Sequence, residues 1–236
     1  TACIPNTSDV KENGITIETE SLGFNYPGSD KRSLNNINLK ISQGEKILVT
    51  GSNGAGKSTL LRLLSGLLEP ETGAMYVTDN YMNRLDEDSY RAQSGSLLQG
   101  ETLFDGTIRD NILFGNKSID NEDLKWALDN VGLTPFVKTF PNGLETHIRP
   151  GGNELSASDI QKILLARSIV NRPNILFLEE PTDKMDEATS QQIIDFLLAG
   201  ENKWTLVVAS KNPVWREKSS RSITISDGKI INDIML

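Results

Sequence analysis

The strongest constraint on how this chain can fold is Gly51-Ser52-Asn53-Gly54-Ala55-Gly56-Lys57-Ser58, which satisfies G-x-x-x-x-G-K-[ST]. Before it, Lys46-Ile47-Leu48-Val49-Thr50 reads as a short buried strand. After it, Thr59-Leu60-Leu61-Arg62-Leu63-Leu64 carries the leucines of a buried helix. Strand, glycine turn and helix form one phosphate-binding unit. Glycines let the backbone wrap a phosphate, so that its N–H groups and the helix N-terminus supply positive potential. In such a loop the lysine (Lys57) reaches the β- and γ-phosphates and the hydroxyl (Ser58) holds Mg2+.

The rest of the chain follows the same alternation. Ile15-Thr16-Ile17-Glu18 and Ile37-Asn38-Leu39-Lys40-Ile41 alternate like half-buried strands. Residues 105–170 read as helical (Thr107–Leu113, Glu122–Val131 and Ser156–Val170), broken by a Pro- and Gly-rich loop over 141–152. Then come a strand at Ile175–Leu178, a helix at Asp186–Leu198, a strand at Thr205–Ala209, and a strand pair around Asp227-Gly228. This order predicts a mostly parallel α/β sheet with an inserted helical subdomain.

Composition removes several classes of function. The net charge of −8 argues against sequence-independent nucleic-acid binding, which needs clustered Lys and Arg. Cys3 is the only cysteine, so neither an internal disulfide nor a cysteine-based zinc cluster can form, which fits a reducing cytosol. No run approaches the ~20 apolar residues of a membrane span. The chain begins with Thr1 and shows no signal-peptide core, so it reads as a piece of a longer polypeptide with any membrane part outside it.

A second chemical signal lies downstream. Ile175-Leu176-Phe177-Leu178-Glu179-Glu180 is an apolar strand ending in two carboxylates. On a sheet that carries a phosphate loop, one such carboxylate holds Mg2+ through water and the next polarises an attacking water. The plainer alternative is a pair of solvated surface glutamates, which the buried strand just before them disfavours.

With these residues in hand, the chain resembles the nucleotide-binding domain of ABC transporters from about residue 15 onward. Lys57 and Ser58 fall in a P-loop of that family's form, and Gln99 in Ser96-Leu97-Leu98-Gln99 matches its Q-loop. Leu103–Ile112 and Pro141–Thr146 look like exporter-type members. Pro181-Thr182-Asp183-Lys184-Met185-Asp186 sits where the D-loop belongs, and Tyr26 aligns with the aromatic that stacks on adenine. The resemblance implies a P-loop NTPase (RecA-like) core with a small antiparallel β subdomain, spanning about 14–100 and 165–236. It also implies a helical subdomain over about 101–164, with residues 1–13 as a linker or tail. The expected ligands are ATP, held by Tyr26 and by Gly51 to Thr59, and Mg2+, held by Ser58, Gln99 and Glu179. The expected catalytic residues are Glu180, Gln99 and Ser210.

Departures from the family pattern fall on its catalytic motifs. The Leu-Ser-Gly-Gly-Gln signature is Leu155-Ser156-Ala157-Ser158-Asp159 here, a segment that in the resembling proteins caps the γ-phosphate of a partner domain. Ala157 and Ser158 add side chains where backbone approach is wanted. At ~7 Å and an effective dielectric near 20, Asp159 would repel each phosphate charge by about 2 kcal/mol, comparable with the helix-dipole attraction of at most about 2 kcal/mol. Ser156 with Asp159 also reads as a capping box. Ser210 stands where the family has its switch histidine, with a hydroxyl able to donate to a γ-phosphate oxygen. Glu179 replaces an Asp, and Pro150 a loop Glu. His147, the only histidine, does not match the switch position and reads as a surface residue.

Two functions follow. One is an exporter-like ATPase domain on the cytoplasmic face of a membrane. It would pair head-to-tail with a second nucleotide-binding domain and hydrolyse Mg-ATP weakly to drive or gate a transmembrane domain. The other is a non-hydrolytic, degenerate ATP-binding or regulatory module beside a competent partner. Chromosome-maintenance and DNA-repair ATPases share the fold, but no heptad arms interrupt residues 60–150 and the charge is −8.

Overall fold

The computed structural model describes residues 15–29, 32–78, 80–81 and 87–236; the expected tail over 1–13, with Cys3, lies outside the described residues. In chain order these form β1 (Ile17–Phe24), β2 (Leu34–Ile41), β3 (Lys46–Thr50), α1 (Lys57–Leu64), β4 (Thr72–Val77), β5 (Asn80–Tyr81), α2 (Glu87–Gln93) and β6 (Ser94–Leu97). The middle block holds β7 (Gly106–Thr107), α3 (Ile108–Leu113), α4 (Asn121–Asn130), α5 (Thr134–Val137), β8 (His147–Ile148) and α6 (Ala157–Ile169). The last third holds β9 (Ile175–Glu179), α7 (Glu187–Leu198), β10 (Thr205–Ala209), α8 (Val214–Lys218), β11 (Arg221–Ser226) and β12 (Lys229–Met235).

The central sheet runs β12-β11-β3-β10-β9-β6. Its strands are parallel except β12, which returns antiparallel beside β11. Side chains alternate across a strand, and here both faces are covered. On β9, Leu176 and Leu178 point into one core with α6 and α7, while Ile175 and Phe177 point into the other with α1 and β1. That double burial is why the core strands read as unbroken apolar runs rather than alternating ones.

A second, antiparallel sheet (β2-β1-β4-β5) closes over the core that holds α1. Strands β1 and β2 run longer than their sequence alternation, because each carries an irregularity. Ser21 (φ 49°) and Asn36 (φ 57°) adopt left-handed backbone, and the β1–β2 register shifts after Thr19 and again after Leu22. Each shift breaks the period-2 burial pattern on which the expectation rested.

The middle block is tied to the core by aromatic packing. Trp126 of α4 meets Phe196 of α7 at 5.6 Å and Trp204, just before β10, at 6.2 Å; Arg172 stacks over Trp126 at 3.4 Å. Helix α6 continues past residue 164 to Ile169 without a break, packing Ile163, Leu164, Leu165 and Ala166 inside. Its N-cap Ser156 accepts from the Asp159 N–H at 3.1 Å. The Asp159 carboxylate meets the Ser156 hydroxyl, so the second half of the expected capping box goes to that hydroxyl. At α3 both halves form, between Thr107 and Asp110.

Candidate functional site

The carboxyl ends of β3, β6, β9 and β10 open on one edge of the sheet, the edge where parallel α/β sheets bind ligands. Each strand delivers its next residues to a single cavity of about 1000 Å3. The loop after β3 contributes Asn53, Gly54, Lys57 and Ser58; the segment after β6, Gln99 to Glu101; β9 and its loop, Glu179, Glu180 and Asp183; and the end of β10, Ala209 to Asn212. Ala157, Ile160, Gln161 and Leu164 of α6 form the facing wall.

The glycine loop takes this shape because of two positions. Gly51 has φ +143°, and a Cβ there would stand 2.3 Å from the Ile225 carbonyl oxygen. Gly56, the N-cap of α1, has φ +112°, and a Cβ there would stand 2.6 Å from the Ser33 carbonyl oxygen. Neither can carry a side chain without moving backbone. The Lys57 ammonium folds back on the loop, donating to the Gly51 and Ser52 carbonyls at 2.8 and 2.9 Å. Gly51, Ser52, Ala55, Gly56 and Thr59 are not among the residues lining the cavity, and Ala55 and Thr59 are buried beneath the loop.

Glu179 gathers the residues expected to organise the cation. Its Oε1 accepts a short bond from the Ser58 hydroxyl, and its Oε2 accepts from the Gln99 N–H at 3.1 Å. Arg62 donates to the Gln99 carbonyl at 3.0 Å, so that residue is held on both sides. The ligating atoms these side chains offer, a hydroxyl, a carboxylate and an amide carbonyl, are all oxygens, the set that suits a hard divalent ion such as Mg2+. Among the described residues no cluster of three or more His, Cys, Asp or Glu side chains forms a separate metal cage.

Glu180 is held differently. Its backbone is left-handed (φ 45°), a conformation costing a non-glycine residue about 1–2 kcal/mol. Its N–H donates to the Ala209 carbonyl at 2.8 Å. Its Oε2 accepts from the Ser210 hydroxyl at 2.8 Å and from the Lys211 N–H at 3.2 Å. The single proton of the Ser210 hydroxyl is therefore given to Glu180, while its oxygen accepts from the Asn212 N–H at 3.2 Å. The same hydroxyl is the one that the resemblance assigns to a γ-phosphate oxygen, so the two acceptors compete for a single proton.

Other expected residues stand apart from this cluster. Of Leu155 to Asp159, Ala157 alone lines the cavity. Tyr26 is not among the lining residues; its hydroxyl accepts from Arg62 at 3.2 Å and its ring meets Phe24 edge-on at 5.0 Å. His147 is exposed on β8, 3.7 Å from Asp105, away from the cavity as expected.

Among the lining residues that the sequence reading does not single out, two make side-chain bonds that shape the site. Gln161 projects from α6 and bonds the loop after β9 at three points. Glu101 accepts from the Leu98 N–H at 2.8 Å, and burial pushes its carboxyl above the usual range, partly countered by that bond and by Arg167. No local pattern marks either: Gln161 lies two residues beyond the segment that carries the resemblance. Lys184 is paired with Asp183 at 2.9 Å, and that bond and charge raise its ammonium above the ordinary value.

Comparison with known proteins places this geometry. A model of the ABC transporter family matches residues 34–183. The ATP-dependent permease MDL1 of Candida albicans is 32% identical over 92% of the chain, and ATP-binding cassette sub-family B member 5 of Homo sapiens 32% identical over 91%. The chain spans 32% and 17% of those two proteins. A solved bacterial Atm1-family ABC exporter with ATP bound superposes with a TM-score of 0.87 at 25% identity, covering 94% of the chain and 38% of that exporter.

Proposed function

The chain belongs to the ABC transporter family, and on that premise we propose that it is the ATP-binding domain of an exporter. Its fold, a P-loop NTPase α/β core, is that of the matched exporter. In this reading the loop Gly51 to Thr59 takes the phosphates, with Lys57 leaving the Gly51 and Ser52 carbonyls for the β- and γ-phosphates. Tyr26 stacks on the base. Ser58, Glu179 and Gln99 hold Mg2+, which when bound neutralises charge on the departing phosphoryl group. Glu180 orients the attacking water and receives its proton.

The observation that carries this reading is the pair of carboxylates facing the loop: Glu179 against Ser58 and Gln99, Glu180 against Ser210 and Lys211. The two have separate partners and so separate roles. The signature segment Leu155 to Asp159 is assigned to the site of a second nucleotide-binding domain, and a transmembrane domain is the expected partner of the whole. The domain therefore works at the cytoplasmic face of a membrane. No described helix is long and apolar enough to cross a membrane itself.

Binding of a fluorescent ATP analogue, with and without Mg2+, tests the assignment. Saturable binding in the wild type that disappears in Lys57→Ala supports it, and equal binding by both contradicts it. Hydrolysis is read by phosphate release at rising protein concentration, where a head-to-tail site gives a rate per chain that rises.

A second reading, ATP binding without hydrolysis, is favoured by Ser210, whose proton is given to Glu180. Asp159 adds a negative charge to the first turn of α6, where phosphate would dock. In that reading Ser210→His combined with Asp159→Gln raises turnover; an unchanged rate counts against it.

A further inference from the structure

Among the described residues, helix α6 hydrogen-bonds the loop after β9 through the Gln161 side chain, and that side chain is fully committed. The Gln161 amide nitrogen donates at 2.7 Å to the Glu180 carbonyl and at 2.7 Å to Asp183 Oδ1, and its oxygen accepts from the Lys184 N–H at 2.9 Å. Both amide hydrogens and the carbonyl oxygen are in use, so the orientation is fixed: a flipped amide would set its oxygen against two acceptors. The three points span the turn that starts at Glu180, the residue with left-handed backbone. Within the turn, Asp183 N–H reaches the Glu180 carbonyl only at 3.3 Å and Met185 N–H the Thr182 carbonyl at 3.2 Å. The shorter bonds that hold it come from α6 and, through the Glu180 N–H, from the Ala209 carbonyl at 2.8 Å.

We propose that Gln161 is a positioning residue for Glu180: it ties the first turns of α6 to the loop 180–184 and so fixes where the Glu180 carboxylate points. The role of Glu180 rests on the reading given above; the link itself rests on the three bonds. Gln161 sits two residues beyond Asp159, in the turn that follows the one capped by Ser156, so a displacement of that end of α6 is carried to Glu180 by a bonded connection. The same clamp holds Asp183 and Lys184, so the acidic and basic groups on this side of the cavity move together with the carboxylate.

Gln161→Met keeps side-chain length and helix propensity while deleting all three bonds. Gln161→Glu keeps the acceptor for Lys184 but turns the donating end into a second oxygen facing the Glu180 carbonyl and Asp183. The test combines steady-state phosphate release with hydrogen–deuterium exchange of the 180–185 segment, on chains whose melting temperature matches the wild type. Loss of orientation without loss of binding lowers the turnover rate about 10- to 100-fold, while half-saturating Mg-ATP stays within about twofold. In Gln161→Met the Lys184 amide exchanges faster than in the wild type, in both variants the 180–185 segment as a whole does, and Gln161→Glu is the more impaired in turnover. Unchanged exchange over 180–185 overturns the proposal whatever the rate does, and so does a rise in half-saturating Mg-ATP at constant turnover. If the wild type releases no phosphate, the hydrolytic reading fails separately, and exchange alone decides whether Gln161 holds the loop.

Discussion

Replacing Gly51 by alanine tests why the phosphate loop is spelled as it is. At φ +143° the residue lies where only glycine is unstrained, and the added Cβ would stand 2.3 Å from the Ile225 carbonyl oxygen, at the end of β11. The backbone conformation costs a side-chain-bearing residue about 1–3 kcal/mol. Relieving the contact requires about an ångström of movement in a close-packed strand end, at about 1–3 kcal/mol more. The total, about 2–6 kcal/mol, is a large part of the roughly 5–15 kcal/mol of a typical domain. Gly54→Ala is the internal control: its φ is also positive (+75°), but nothing lies within 4 Å of the added Cβ, so only backbone strain remains. Urea unfolding followed by circular dichroism gives both values. Gly51→Ala is expected to lose at least twice the stability that Gly54→Ala loses. Equal losses would refute the argument that contact with β11, and not φ alone, dictates glycine at position 51.

Further outcomes follow from groups away from the cavity. Lys46 is buried, with its amine donating to the Asn202 and Trp204 carbonyls at 3.0 and 2.6 Å, and burial lowers its pKa from 10.5 to about 8. Between those values the unfolded chain binds the proton that the folded chain releases, so this group adds stability as pH rises from about 8 towards 10.5. The unfolding free energy of the wild type minus that of Lys46→Met should therefore increase over that window; a flat difference contradicts the assignment. Thr107→Ala removes the hydroxyl half of the α3 capping box, leaving the Asp110 carboxylate on the backbone N–H of residue 107, and should cost about 1 kcal/mol in urea unfolding, and no measurable loss would show that the hydroxyl contributes nothing. Phe177→Ala empties a fully buried position between β9 and α1 and should cost about 3–5 kcal/mol. A loss below about 1 kcal/mol would mean the core closes over the gap.

How far the fold was legible depended on whether local pattern and tertiary burial agreed. Strands β3, β9 and β10 were plain because burial on both faces demands continuous apolar residues. Strand β6, Ser94-Gly95-Ser96-Leu97, carried no such signal. Its composition is set by α6, whose Ser168 carbonyl lies 1.9 Å from where a Cβ on Gly95 would stand, so the strand must be small at the point of closest approach. The two-residue pair of β7 and β8 depends on long-range pairing of Thr107 with His147, which no window around either residue reveals. Within the candidate site, Lys57, Ser58, Gln99, Glu179, Glu180 and Ser210 are legible from motif and spacing, and the structure gathers them at one cavity. What the sequence could not show was which atoms they bond. The Ser210 hydroxyl is given to Glu180, and Gln161 enters from a helix in the opposite wall, so both facts exist only once the chain is packed.

The most direct test of the account is phosphate release by Glu180→Gln beside the wild type, with ATP binding measured on the same samples. Glutamine keeps an oxygen for the Ser210 and Lys211 donors but removes the base. The account predicts unchanged binding with turnover lowered about 100- to 10,000-fold. Turnover equal to that of the wild type would contradict it and remove Glu180 from the chemistry.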